Sequence, residues 1–130
     1  KSAIKYCNKA IELDVDYADS YFSRGTIKLN QMEFDEAIAD FDKALFIEPF
    51  MEFAFANRAF ARIRKHEFGG DRKLVSNSEV TVFASKKKTE ISETEKNNIC
   101  NDLQKAIFLG DKVEMVLDAE IEYCKKRNEK

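Results

Sequence analysis

The chain has 130 residues, 44% of them hydrophobic and 35% charged, a composition that predicts one folded, soluble domain and excludes a disordered chain. Its net charge of −2 gives no reason to expect nucleic acid or an anionic membrane as a partner, and no run of about 18 apolar residues could span a bilayer. One proline and four glycines leave long uninterrupted stretches, which favours helices over a sandwich or barrel. Because the chain begins with Lys1 and shows no signal peptide, we expect its true N-terminus to be missing, and the compartment stays open between cytoplasm and periplasm.

The first predicted helix, in residues 1–16, shares its pattern with a segment further along the chain. The stretch "AIKYCNKAIELDVD" (3–16) overlays "FDEAIADFDKALFIEP" (34–49), with Ala3 on Ala37 and one constant offset of 34 residues. A fixed period of this length indicates an array of helical hairpins. The N-terminal segment is therefore predicted to be the second helix of a truncated repeat.

The next two predicted helices form one complete repeat in residues 18–51. Apolar residues recur at helical spacing over 21–29, before the stretch "NQMEF", and again over 37–45, before Pro49. Two amphipathic helices are therefore predicted. Pro49 lacks a backbone N–H and separates this repeat from the next.

The complete repeat has a recognisable order of large and small residues. Numbered from Ala18, positions 4, 8, 20, 24, 27 and 32 are occupied by Tyr21, Gly25, Ala37, Phe41, Ala44 and Pro49. This order resembles the tetratricopeptide repeat, which implies an all-α fold, an α-solenoid of antiparallel helix pairs. Gly25 and Ala37 would remove bulk where paired helices approach, and Phe41 would fill the seam between them.

A third repeat is predicted in residues 52–111, but an insertion interrupts it. Its first helix follows the period over 53–65, whereas the second helix, "ICNDLQKAIFLGD", begins with Ile99 where the period predicts Asp71. The register has slipped by 28 residues, the difference between 99 and 71. We therefore predict an insertion at about 69–96.

The insertion itself carries weaker signals. "EVTVF" (79–83) alternates and is rich in β-forming residues, so a short strand or a hairpin with "KLV" is the alternative to a surface loop. Lys86–Lys88 are interpreted as an exposed loop tip, with phosphate binding as the alternative. Ser92 and Glu95 have the spacing of a capping box, which predicts that the next helix begins near Glu93.

The last predicted helix, in residues 112–128, has one apolar and one charged face. Such a helix caps a solenoid, because it covers the apolar surface of the last repeat. Its expected apolar face consists of Val113, Val116, Leu117, Ile121 and Cys124. Together, "CNDLQKAIFLGDK" and "EIEYC" resemble the closing repeat of some bacterial tetratricopeptide proteins, although Leu103 replaces the aromatic residue found there.

The cysteines, the histidine and the carboxylates form no catalytic or metal-binding pattern. Cys7, Cys100 and Cys124 lack metal-ligand spacing, and the single histidine, His66, lies near a helix end. We interpret the cysteines as small buried hydrophobic residues, and a disulfide between Cys100 and Cys124 stays open because their Cα separation decides it. There is no P-loop, GxGxxG motif or nucleophile elbow, and the carboxylates are interpreted as exposed beside lysines. The sequence predicts no cofactor, no metal and no enzyme.

The resemblance implies that the first helices of successive repeats line a concave groove that binds a peptide or protein segment. The candidate peptide-binding residues, carried over by position, are Asp19, Phe22, Ser23, Thr26, Asn30, Phe53, Asn57, Phe60 and Arg64, with Leu29, Ala56 and Ile63 at the other inward positions. Asn57 is the leading candidate, because its amide offers a peptide backbone both a donor and an acceptor. Arg58, which points elsewhere around the helix, is the expected control. The alternative for Phe22 and Phe60 is packing between helices.

Other functions stay open. Some tetratricopeptide domains hold the acidic C-terminal tails of heat-shock chaperones in a carboxylate clamp. "FANRA" (55–59) resembles part of that clamp, but Asp19 and Ser23 stand where it needs lysine and asparagine. Alternatively, the chain is a structural or assembly element whose uncovered N-terminal helix packs against further repeats or a second copy of itself. A non-catalytic part of an enzyme is the remaining alternative.

Overall fold

The computed structural model describes residues 2–68 and 91–125, and every regular element within them is helical. Six α-helices follow one another in these residues, and the last continues into a π-helical turn at Ile121–Lys125. The helices are α1 (Ser2–Leu13), α2 (Ala18–Asn30), α3 (Phe34–Ile47), α4 (Glu52–Phe68), α5 (Glu93–Phe108) and α6 (Glu114–Glu120). The prediction of an all-α fold is confirmed.

The helices pack as antiparallel pairs. Helix α2 packs against α3, and α4 against α5. The end of α2 contacts the start of α3, as in the 3.0 Å ion pair between Lys28 and Glu36, so the two helices run in opposite directions. Helix α1 packs on α2, α3 packs on α4, and α6 covers α5, while α2 and α4 lie side by side as the first helices of the two pairs. The predicted α-solenoid is confirmed.

A glycine lets α2 and α3 approach closely. A Cβ at Gly25 would lie 2.8 Å from Cε1 of Phe41, closer than real Cβ contacts come, and 3.1 Å from Cβ of Asp40, which is a tight contact. Phe41 is fully buried. The prediction that Gly25 makes room for Phe41 is therefore confirmed. At the same two repeat positions, the α4–α5 pair has Ala59 and Leu103, both fully buried.

Phe22 connects the parts of the hydrophobic core. Buried side chains form three clusters, one centred between α4 and α5, one around Phe41 and one around Tyr21. Phe22 packs against all three, and its ring centroid lies 6.0 Å from that of Phe41. Phe60 packs against the first cluster. Both phenylalanines are half-buried, so each packs between helices and also keeps an exposed part.

Two helices end with a residue in the left-handed region. After α5, Gly110 has a φ of 116°, and the N–H of Asp111 donates to the carbonyl of Ala106 at 2.9 Å. After α2, Met32 takes the equivalent place with a φ of 65°. Glycine adopts this conformation freely, and it turns the chain sharply at the helix end. After the turn at Gly110 the chain continues into α6, which packs against α5.

Helix α5 begins where the sequence predicted. The Ser92 hydroxyl accepts a hydrogen bond from the Glu95 N–H at 3.1 Å, so Ser92 is the N-cap and Glu93 the first helical residue. The predicted helix start is confirmed. The Glu95 carboxylate lies 3.6 Å from Nη1 of Arg62, which ties this end of α5 to α4.

The C-terminal side of the predicted insertion belongs to the packed structure. Residues 93–96, counted with the insertion at 69–96, are the first turn of α5, and Ile91 packs against the core. The predicted strand at 79–83 and the basic tip Lys86–Lys88 lie outside the described residues. The division of the chain into repeats stays a prediction.

Helix α6 covers the last pair with fewer side chains than predicted. Val116 and Cys124 are buried, but Val113, Leu117 and Ile121 are 55%, 37% and 52% exposed. The predicted apolar face is wrong for these three residues. Val113 precedes the helix, and the π-helical turn changes the rotation per residue, so the apolar side chains do not form one line.

A disulfide fastens the π-helical turn to α5. Cys100 of α5 and Cys124 of the π-helical turn are bonded, with their Cα atoms 5.3 Å apart and both side chains fully buried. The interpretation of these two cysteines as buried is confirmed, and the disulfide that the sequence left open is formed, because the turn brings the second thiol onto the first. Cys7 is free and half-buried.

Candidate functional site

The face formed by α2 and α4 contains two cavities that meet at Phe53. The first, which we call the acidic pocket, has a volume of about 470 Å³ and is lined by Asp19, Phe22, Ser23, Glu48, Phe50, Met51, Glu52 and Phe53. The second, which we call the inner pocket, has a volume of about 250 Å³ and lies between α2, α4 and the start of α6. Phe53 lines both pockets, so they adjoin on this face, and we call the two together the groove.

All nine candidate residues chosen from the sequence line this groove. The acidic pocket takes Asp19, Phe22 and Ser23, the inner pocket takes Thr26, Asn30, Asn57, Phe60 and Arg64, and both share Phe53. Leu29 and Ala56 also line the inner pocket. Ile63 lines neither, because it is buried in the core between α4 and α5, and its assignment to the groove is wrong.

Asn57 is held in the inner pocket by a hydrogen bond across the two first helices. Its Nδ2 donates to Oγ1 of Thr26 at 3.3 Å, and the Thr26 hydroxyl donates to the carbonyl of Phe22 at 2.9 Å. No other bond to Asn57 occurs within the described residues. Its amide oxygen and second N–H are therefore available to a backbone lying in the groove.

The groove is walled partly by segments that sequence reasoning missed. Val113 and Met115, at the start of α6, line the inner pocket and are 55% and 57% exposed. Glu48 and Phe50, in the link between α3 and α4, line the acidic pocket. The sequence of this link could have indicated a binding surface, because "EPFMEF" (48–53) places aromatic residues beside carboxylates. Nothing in the sequence indicated that α6 lines the groove, because the repeat pattern ends before this helix.

Behind the groove, two buried aspartates each bind an arginine through two bonds. Asp40, 5% exposed, accepts from Arg24 Nε at 2.9 Å and Nη2 at 2.7 Å. Asp102, 4% exposed, accepts from the same two atoms of Arg58, both at 2.8 Å. These bonds raise the pKa of the Arg58 guanidinium. The interpretation of the carboxylates as exposed is wrong for both aspartates, because the paired helices close over them.

The two ion pairs occupy the same places in successive repeats. Arg24 and Arg58 are 34 residues apart, which is one period. Asp40 and Asp102 are 62 residues apart, which is the 34-residue period plus the 28-residue slip. One helical turn beyond each arginine, a second base lies 3.9 Å from the same aspartate; these bases are Lys28 and Arg62. Each buried carboxylate is thus surrounded by two cations of its own helix pair.

The same arginines also connect neighbouring repeats. Nη1 of Arg24 donates to Oδ1 of Asn8 in α1 at 2.8 Å, and Nη1 of Arg58 donates to Oδ1 of Asp42 in α3 at 2.7 Å. Arg58 therefore ties three helices together. The expectation that Arg58 could serve as a neutral control is wrong, because replacing it would leave a buried carboxylate without its partner.

The described residues contain neither a cluster of metal ligands nor a membrane-spanning helix. In 2–68 and 91–125, no three side chains among histidine, cysteine, aspartate and glutamate lie close enough together to hold a metal ion. No helix there is long and apolar enough to cross a membrane.

Comparison with known sequences finds relatives that match part of this chain, while no protein-family model matches it. The chain is 34% identical over 94 residues to peptidyl-prolyl cis-trans isomerase FKBP4 of Rattus norvegicus. The match covers 70% of this chain and 20% of that protein. The chain is also 34% identical over 64 residues to mitochondrial import receptor subunit TOM70 of Homo sapiens, 49% of this chain and 10% of that protein. These relatives carry tetratricopeptide repeats, and this chain spans a fifth or less of their length.

Comparison with solved structures finds the same fold. The tetratricopeptide-repeat domain of Arabidopsis OM64 superposes with a TM-score of 0.68, covering 95% of this chain and 78% of that one at 20% identity. At this identity the likeness is one of fold. None of these three proteins is bacterial, so the bacterial likeness of the closing segment stays a prediction.

Proposed function

We propose that this chain, which has the fold of a tetratricopeptide-repeat domain, is a non-catalytic protein-interaction module that binds a peptide or protein segment in the groove between α2, α4 and α6. The observation that carries the proposal is that the nine candidate peptide-binding residues all line one or the other of two adjoining pockets. Helices of neighbouring repeats lie side by side, so residues one period apart come together there.

The chemistry of the inner pocket suits an extended segment. Asn57 supplies a donor and an acceptor for a backbone, and Phe60 and Met115 supply apolar surface beside it. Phe53, 54% exposed, stands where the two pockets meet and can contact a segment that passes from one to the other. Apolar surface with a few convergent polar groups is typical of a binding site.

A carboxylate clamp is the less favoured form of this function. Asp19 and Glu52 line the pocket at the end of the groove where a clamp would need bases, and their charge repels a carboxylate. Arg64 is the one basic residue lining either pocket among the residues that the structure describes.

A selection experiment tests the proposal. A random peptide library is selected against the full chain, and enriched peptides are titrated calorimetrically into the wild type, Asn57→Ala and Asn101→Ala. Asn101 is an exposed asparagine of α5 that lines neither pocket, which makes it a matched control. We expect Asn57→Ala to weaken binding by roughly tenfold or more, since losing a buried hydrogen bond costs about 1 to 3 kcal/mol, and Asn101→Ala to leave it unchanged. Equal affinity for all three proteins, or no enriched peptide, would refute the proposal.

A second candidate function, assembly through the N-terminal end, is favoured by one observation. Tyr6 and Leu13 of α1, and Val15 in the turn after it, are 76%, 78% and 57% exposed. Exposed apolar side chains on a solenoid helix favour association with further repeats or with a second copy, because each repeat buries its apolar face against a neighbour.

A further inference from the structure

We infer that the acidic pocket selects the partner by charge, and that it binds a segment in which a lysine or arginine stands next to a bulky apolar residue. The inference rests on the proposed groove function and names the chemistry of its partner. It follows from the carboxylates of the pocket, from the exposed aromatic rings beside them and from the lack of a lysine or arginine in its lining among the residues that the structure describes.

Three carboxylates from three segments line the acidic pocket. Asp19 belongs to α2, Glu48 to the link after α3, and Glu52 is the first residue of α4. Among the described residues, no lysine or arginine lines this pocket and none of the three carboxylates forms an ion pair. The pocket therefore concentrates negative charge in a concavity, which attracts a cation.

Within the described parts of the chain, the acidic residues of α3, unlike those of the acidic pocket, are all in ion pairs. Every aspartate and glutamate of that helix lies in an ion pair with a lysine or arginine of a neighbouring helix; these residues are Asp35, Glu36, Asp40 and Asp42. The fold thus neutralises the carboxylates that hold its helices together. Those of the acidic pocket are left for a positive charge from outside the described residues.

Exposed aromatic rings in the pocket determine the second property of the partner, an apolar side chain next to the cation. Phe50 and Phe53 are 68% and 54% exposed, while Met51 and Phe22 form the more buried part of the lining. An aromatic face attracts an ammonium or guanidinium group, and the aliphatic part of a lysine or arginine packs on apolar surface. A neighbouring apolar side chain of the partner covers the remaining ring surface.

The spread of the carboxylates favours a side-chain cation over a metal ion. Within residues 2–68 and 91–125, no three acidic, histidine or cysteine side chains converge closely enough to hold a metal. A pocket of about 470 Å³ accommodates an entire lysine or arginine side chain with an apolar neighbour.

Two of the carboxylates also stand at helix starts, where they stabilise the helix through its dipole. Asp19 lies in the first turn of α2 and Glu52 in that of α4. Glu93 has the same role at the first position of α5, is exposed, and lines neither pocket. Glu93→Gln is therefore the matched control for Glu52→Gln, because both changes remove one helix-start charge and only one of them removes it from the pocket.

The test uses two fluorescein-labelled synthetic peptides of equal length, one alternating phenylalanine with lysine and the other phenylalanine with glutamate. Each is titrated by fluorescence anisotropy with the full chain at physiological salt. We expect the basic peptide to bind at least about tenfold more tightly than the acidic one and to weaken as salt is raised. Glu52→Gln should weaken its binding severalfold, Phe53→Ala should do the same, and Glu93→Gln should change nothing.

Three outcomes would overturn the inference. These are equal binding or a preference for the acidic peptide, failure of both peptides to bind, and binding of the basic peptide that Glu52→Gln and Glu93→Gln reduce equally. The groove function is judged separately by the unbiased library and Asn57→Ala. A library that yields groove-dependent peptides without enrichment of lysine or arginine would remove the charge selection and leave the proposed function intact.

Discussion

The ring of Phe41 lies so close to Gly25 that position 25 has no room for a Cβ, which would stand 2.8 Å from Cε1 of the ring. One repeat later the same two positions hold Ala59 and Leu103. Compared with α2 and α3, the second pair therefore has one more methyl group at this position of α4 and a leucine in place of the phenylalanine in α5. Both helix pairs are closely packed at this point, one by a small residue against a large one and the other by two residues of intermediate size.

Gly25→Ala should destabilise the fold by about 1 to 3 kcal/mol, because overpacking forces the helices or the Phe41 ring to move. In a Phe41→Leu background, which reproduces the Ala59 and Leu103 arrangement, the same change should cost much less. Chemical denaturation of the two single variants and the double variant measures the coupling. Strictly additive losses would show that the two side chains do not share this space.

Arg58→Ala should cost about 3 to 5 kcal/mol, because it leaves the Asp102 carboxylate buried without its two strongest bonds. The double variant Arg58→Ala with Asp102→Ala should lose less than the sum of the single changes. The control is Lys9→Ala, which breaks an exposed ion pair with Glu12 and should change stability by less than about 1 kcal/mol. Equal effects of Arg58→Ala and Lys9→Ala in urea unfolding would contradict the buried pair.

Reduction of the disulfide between Cys100 and Cys124 should lower stability by roughly 3 kcal/mol, because the bond closes a loop of 24 residues and restricts the unfolded chain. Thermal unfolding with and without reductant measures the loss. Cys7→Ser should respond to reductant like the wild type, and Cys124→Ser should no longer respond. An unchanged melting temperature on full reduction would show that packing alone holds the end of the chain.

Replacing residues 69–90 with a short glycine-serine linker should leave cooperative thermal unfolding intact, because the entropy of closing a loop depends weakly on its length. The longer replacement of 69–96 should destabilise the protein, because it also removes Ile91 from the core and the Ser92 cap from α5. Loss of cooperative melting in the shorter replacement would mean that the insertion is part of the fold.

If the chain assembles through its N-terminal end, light scattering over a wide concentration range should show self-association. Tyr6→Lys should reduce it, because a charge on the exposed face of α1 opposes apolar contact. Phe108→Lys is the control, since Phe108 is 87% exposed at the far end of α5. A chain that stays monomeric at every concentration would rule out self-assembly through this end.

The sequence by itself determined the helices and most of the groove. Apolar residues at helical spacing define an amphipathic helix locally, and the 34-residue period then assigns equivalent positions to equivalent places. Thr26 and Asn57 could therefore be placed on one face, and they bond to each other there. The cap of α5 at Ser92 was equally local, because it depends on residues three apart.

Only the tertiary structure decided what is buried and what is left unpaired. Asp102 and Arg58 are 44 residues apart in the chain, and nothing local distinguishes this aspartate from an exposed one until the helix pair closes over it. The bond between Cys100 and Cys124 and the presence of three carboxylates in the lining of one pocket arise in the same way. The physical reason is that periodicity fixes the face of each helix, whereas the neighbours of that face depend on how separate helices pack against one another.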